Sequence, residues 1–175
     1  MIGGVPRHII RIIFLILLQG LIVNRLDLAS GLILPSVYIF AILMLPLQTP
    51  RLLLLVIGFV AGIFMDSFTN TIGMHTSACV FLAFAQPHVL RLLAPREGYE
   101  FGLTPTVQDL GLSWYLTYAG ILTLCHHSLL FFMEVFRFTD LSFTLEKIAL
   151  SSLTTVLLMV LGQYLIFTPK ERSRI

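Results

Sequence analysis

The sequence predicts an all-α integral membrane protein, a single polytopic domain built as a bundle of six transmembrane helices with both termini cytoplasmic. Three observations predict it. The first is a shortage of charge: 11% of the 175 residues are Asp, Glu, Lys or Arg, while 57% are apolar and the mean hydropathy is +0.94. Soluble domains carry about 25% charged residues, so this chain lacks the groups to clothe a water-facing surface, and lipid must cover most of it. The second is the recurrence, from end to end, of apolar runs approaching the roughly 20 residues that a span needs, separated by Pro, Gly, Asn and Arg. The third is the partition of basic residues. With the amino terminus inside, the cytoplasmic side receives Arg7, Arg11, Arg51, Arg91, Arg96, Lys170, Arg172 and Arg174, and the outside only Arg25, Arg137 and Lys147. That asymmetry follows the positive-inside rule, and dropping one span would move the later basic residues to the wrong side.

The same numbers exclude other classes. A formal net charge of +2 is too small to point to nucleic acid. Cys79 and Cys125 both lie inside apolar runs, which reads as packing thiols rather than a disulfide framework.

Taken in order, the first span covers residues 7–23. Its basic start and dozen apolar residues resemble a secretory leader, but Asn24-Arg25 follows directly with no small-x-small cleavage pattern, so a retained helix is expected. Arg11 snorkels toward the headgroups, and local bilayer thinning accommodates the short length. The second span, 28–45, is interrupted by Pro35, which neighbouring helices tolerate as a kink. Pro46 and Pro50 bracket a tight connection to the third span, 52–66. The fourth runs over 73–93 with Pro87 inside it. Between Ala94 and Ser113 lies the longest polar interval, with Arg96, Glu97, Glu100 and Asp109; a loop of that length is often a binding segment. The fifth span, 114–136, starts at an interfacial Trp114-Tyr115 pair. The sixth, 147–167, carries Ser151, Ser152, Thr154 and Thr155 on its first turns, and a short basic tail follows.

Within the third span Gly58, Gly62 and Asp66 stand four apart, so on a helix they form one stripe. Two glycines at this spacing let another backbone approach closely, the small-xxx-small contact of membrane helices. Asp66 sits at the end of that face. A carboxylate at a helix centre in the bilayer costs roughly 2.5–3.5 kcal/mol on insertion scales, less toward the surface, so it needs a partner or water.

His126, His127 and Glu134 form a second candidate, an intramembrane polar cluster, because Glu134 follows His127 by seven residues on nearly the same helical face. Catalysis is not expected from it. A zinc protease needs a spacing such as H-E-x-x-H, with two histidines on one face; adjacent histidines diverge by about 100°. Ser128 beside His127 makes no dyad by spacing alone, and no Gly-x-Ser-x-Gly elbow occurs. No catalytic residue, metal site or cofactor is therefore expected, and buried polar residues hydrogen-bonding between helices are the simpler reading.

The run GFVAGIFMDSFTNTIGMHTSACVFLAFAQPHVLRLL resembles the central segment of the rod shape-determining MreD family. That family shows a glycine-rich span ending in Asp, a short polar link, a Gly before the next span and a basic residue closing it; Gly58, Gly62, Asp66, Gly73 and Arg91 stand at those positions. Length, six-span layout and basic tail agree as well, whereas the 94–113 loop and the His126-His127 pair are not part of the general pattern. The resemblance implies a non-enzymatic scaffold of the bacterial inner membrane. It associates with the single-span protein MreC and, indirectly, with MreB, RodA and a class B penicillin-binding protein in the elongation complex that directs side-wall peptidoglycan synthesis. Gly58, Gly62, Asp66 and Gly73 would then form a helix-packing or partner-binding face. The family is similar in fold to the substrate-binding components of energy-coupling-factor vitamin transporters, which is the alternative reading. Those components usually carry alanines on the first helix, and here none precedes Ala29.

Overall fold

The computed structural model of the chain describes residues 5–135 and 141–166. The end of the fifth expected span at Phe136, Arg137, Phe167 and the basic tail with Lys170, Arg172 and Arg174 lie outside the described residues.

The helices in chain order are α1 (Val5–Leu21), α2 (Ile39–Leu43), α3 (Arg51–Thr69), α4 (Met74–Leu92), α5 (Val107–Leu110), α6 (Leu112–Val135) and α7 (Leu141–Ile166), with a 3₁₀ turn at Val23–Arg25. Among the described residues there is no strand, only an isolated bridge between Leu28 and Ile33. Four helical stretches are long and apolar enough to cross a membrane: Pro6–Arg25, Arg51–Thr69, Leu112–Val135 and Leu141–Leu165. Such helices satisfy their own backbone, the condition for a segment in hydrocarbon. The two remaining expected spans differ from these four in instructive ways.

The fourth expected span forms α4, of 19 residues, but is less apolar than the four. Several of its polar side chains turn inward: Cys79 and Gln86 are fully buried, and the Gln86 amide donates to the Tyr118 hydroxyl at 2.8 Å.

The second expected span, 28–45, is not a continuous helix. Ala29, Ser30 and Gly31 all adopt positive φ, folding the chain back at the Leu28–Ile33 bridge, and Pro35 lies in irregular chain rather than kinking a helix. Only Ile39–Leu43 is helical. Yet from Tyr38 to Leu45 no residue is more than 3% exposed, so this segment forms the middle of the core. It runs back along α1: the Gln19 side chain meets Pro35 and Val37, and Arg11 meets Met44. On its other side it follows α7, with Leu34 at Ser151, Ser36 at Thr155 and Met44 at Gln163.

Irregular backbone is tolerated at such depth only when protein satisfies its polar groups. Here five side chains do so. Gln19 donates to the Pro35 carbonyl at 2.9 Å and accepts the Val37 N–H at 2.7 Å. Ser151 accepts the Leu34 N–H at 2.9 Å and Thr155 the Ser36 N–H at 3.0 Å. Tyr118 donates to the Leu43 carbonyl at 3.0 Å, and Arg11 to that of Met44 at 2.9 Å. The hydroxyl-rich start of the sixth expected span thereby acquires a role, and Arg11 points into the bundle instead of snorkelling.

The 94–113 interval folds over one end of the bundle. Leu47 N–H meets the Leu103 carbonyl at 3.4 Å and the Gln48 amide donates to the Glu100 carbonyl at 3.0 Å. Tyr99 donates its hydroxyl to the Leu90 carbonyl at 2.9 Å, and partial burial pushes its phenol above the ordinary pKa.

Candidate functional site

The site begins with the α3–α4 hairpin. Gly58 and Gly62 both face α4. A Cβ on Gly62 would lie 2.8 Å from the Thr76 nitrogen and closer still to Thr76 Cα; one on Gly58 would lie 2.8 Å from the Cys79 carbonyl oxygen. These are backbone atoms and cannot be rotated away. The stripe is therefore a helix-packing surface closed by α4 of the same chain, and it leaves no room there for a second polypeptide.

Asp66 is 7% exposed and completes the hairpin. Its Oδ1 accepts the Thr71 hydroxyl at 2.6 Å and the His75 N–H at 3.0 Å; its Oδ2 accepts the Thr76 hydroxyl at 2.6 Å and the Thr76 N–H at 3.1 Å. His75 and Thr76 begin α4, whose first N–H groups have no partner within the helix. The carboxylate of one helix thus caps the next, with its negative charge at the positive end of the α4 dipole.

The intervening turn follows from its residues. Asn70, in the left-handed region at φ 55°, ends α3; Asn tolerates that conformation better than most. Gly73 precedes α4 at φ 78°, and a Cβ there would meet nothing within 4 Å. Gly73 is required for its backbone conformation, not for packing or partner contact.

The second candidate is divided rather than assembled. His126 and His127 are both fully buried but turn to different neighbours. His126 Nε2 lies 2.8 Å from the Tyr38 hydroxyl, which is also 3.1 Å from His75 Nδ1 and accepts from the Cys79 thiol at 3.4 Å. A phenol has one hydrogen to give, so Tyr38 donates to at most one of these imidazoles and accepts from at least one. His127 Nδ1 donates to the Thr123 carbonyl at 3.0 Å within its own helix, and its Nε2 lies 3.5 Å from Thr155 Oγ1. Glu134 instead takes both its bonds from the Lys147 ammonium, at 2.8 and 3.0 Å, and that ammonium lies 4.7 Å from the centre of the Phe131 ring. Glu134 therefore finds its partner on α7 rather than with the two histidines of its own helix.

Among the described residues no cluster of three or more His, Cys, Asp or Glu side chains is placed to hold a metal ion. The sequence reading missed Tyr38, which joins three elements, and Gln19, Ser151 and Thr155. A polar residue in an otherwise apolar run was the available signal.

Beside the α3–α4 turn lies a cavity of about 240 Å³ lined by Gln19, Asn24, Ser36, Thr71, His75 and Glu134 among others. It gives polar access to the outer end of the Tyr38 network through His75. No family model, curated protein or solved structure matches the chain.

Proposed function

We propose that this protein is a non-enzymatic membrane scaffold of the bacterial cell-wall elongation complex, of the MreD type, in the inner membrane. The observation that carries the reading is the work done by Asp66. The carboxylate that the resemblance singles out caps α4 and, with Gly58 and Gly62, fixes the α3–α4 hairpin. That is an architectural role, as a scaffold requires. Since α4 covers the glycine stripe, the single span of MreC docks on an outer apolar face of the bundle, and MreB, RodA and a class B penicillin-binding protein are joined through it.

Depletion in a rod-shaped host tests the reading. Cells are expected to become round and swollen, with no rescue by added nutrients, and MreC is expected to co-purify with the protein in mild detergent. Unchanged cell width would overturn it.

The second reading, a substrate-binding component of an energy-coupling-factor vitamin transporter, is favoured by the polar cavity beside Thr71 and His75. It demands tight binding of a small vitamin by the purified protein and a nutritional requirement on depletion.

A further inference from the structure

The polar cavity beside the α3–α4 turn reaches a buried chain of hydrogen-bonding groups through one residue. His75, in the first turn of α4, lines the cavity and is partly exposed. Its Nδ1 is bonded to Tyr38, which leaves Nε2 to the cavity. Behind it Tyr38, Cys79 and His126 are no more than 1% exposed. The Tyr38 hydroxyl joins all of them: it lies 3.1 Å from His75 Nδ1, 2.8 Å from His126 Nε2 and 3.4 Å from the Cys79 sulfur. On the far side of its ring, His126 Nδ1 is buried with no partner among the described residues.

We propose that His75 is a proton-binding site open to the cavity and that Tyr38 passes its protonation state to His126 inside the bundle. The count of hydrogens carries the argument. A phenol has one hydrogen and two lone pairs. The Cys79 thiol takes one lone pair; the other accepts from one imidazole, and the hydroxyl hydrogen goes to the second. While His75 is neutral, the unpartnered His126 Nδ1 decides the direction. Buried N–H groups are left without an acceptor more rarely than acceptors are left without a donor. Nδ1 is therefore the bare nitrogen, and His126 carries its hydrogen on Nε2. That hydrogen goes to Tyr38, Tyr38 donates to His75 Nδ1, and His75 carries its own hydrogen on Nε2, toward the cavity.

A proton arriving through the cavity reverses the chain. An imidazolium carries hydrogen on both nitrogens, so His75 Nδ1 becomes a donor and Tyr38 must accept from it. The hydroxyl hydrogen then turns to His126 Nε2, which gives up its hydrogen while Nδ1 gains one. One proton is taken up in all, at His75; His126 stays neutral and changes tautomer. The charged groups that face His75 are Asp66 from α3, whose carboxylate accepts the His75 backbone N–H, and Glu134 from α6, which is paired with Lys147 from α7. The other titratable groups around it are Tyr38, Cys79, His126 and His127.

Nuclear magnetic resonance of the full chain, carrying isotopically labelled histidine in mild detergent, tests the proposal. The imidazole nitrogens are followed from about pH 4 to about pH 8, which brackets the range in which histidine ordinarily takes its proton. At the upper end His126 is expected to carry hydrogen on Nε2. As His75 takes its proton, the two His126 nitrogens are expected to exchange hydrogen-bearing and bare shifts, with the same midpoint as His75. His127, whose Nδ1 donates to the Thr123 carbonyl, is expected to keep its Nδ1 hydrogen throughout. Tyr38→Phe keeps the ring and removes the hydroxyl; it is expected to abolish the exchange at His126 while His75 still titrates. If that variant does not fold, His75→Gln is expected to leave His126 in one tautomer at every pH. A wild-type His126 that holds one tautomer through the His75 titration would overturn the proposal. So would an exchange that survives Tyr38→Phe or His75→Gln, or a His75 that stays neutral across the range.

Discussion

Thr155 accepts the Ser36 backbone N–H at 3.0 Å while its own hydroxyl hydrogen goes to the Ser151 carbonyl at 2.7 Å. One side chain thereby ties a regular helix to a stretch of buried chain that has no helical partner for its amide. Thr155→Val keeps the shape and removes the acceptor. An unsatisfied buried amide costs about 1–3 kcal/mol, so the variant is expected to lose that much stability, read as an earlier thermal unfolding transition in detergent. Thr154→Val, in which the lost bond is a hydroxyl donating to the Leu150 carbonyl of its own helix, is expected to be close to neutral.

Gly62→Ala and Gly120→Ala make a matched pair. Alanine is favoured over glycine in a helix by about 1 kcal/mol, and around Gly120 a Cβ meets nothing within 4 Å. Gly120→Ala is expected to leave the protein as stable or slightly more so. Gly62→Ala drives its methyl into the backbone of Thr76 and is expected to lower the unfolding temperature, with Gly62→Leu worse. Equal behaviour of the two alanine variants would mean that α3 and α4 are not in this contact.

Asp66→Asn probes the cap. The carboxylate accepts four hydrogen bonds, and an amide of the same shape offers one oxygen and turns two hydrogens toward donors. Removing a helix cap costs about 0.5–2 kcal/mol, and hydrogen bonds to charged groups contribute about 1.5–3 kcal/mol. A loss of about 2–4 kcal/mol is expected, with faster hydrogen exchange at His75 and Thr76. Unchanged protection of those two amides would remove the capping role.

Membrane topology is open to fusion reporters. The 46–50 turn and the 94–106 loop touch through Leu47 and Leu103 and through Gln48 and Glu100, so they share one end of the bundle with the start of α1. Reporters placed within Gly98–Gln108 and after Thr168 are both expected to read as cytoplasmic. A periplasmic signal from either would overturn the arrangement with both termini inside.

The positions of α1, α3, α4, α6 and α7 were legible in the chain because hydropathy is a local property, readable from each run without its neighbours. The Gly58, Gly62 and Asp66 stripe was legible for the same reason: four-residue spacing fixes a common helical face whatever lies opposite. What lay opposite was not legible. That α4 fills the stripe, and that the partner Asp66 needs is the start of α4, depended on how the chain turns at Asn70 and Gly73. The 28–45 segment marks the limit most clearly. Its apolar composition suits a lipid-facing helix and a buried irregular strip equally, since hydropathy weighs side chains and is blind to backbone amides. Which of the two forms is decided by whether other elements can satisfy that backbone, and here the partners stand far off: Ser151 is 117 residues from Leu34, and Thr155 is 119 from Ser36. Only the tertiary structure brings those hydroxyls to those amides, and without them the same sequence would have to close its hydrogen bonds within itself as a helix.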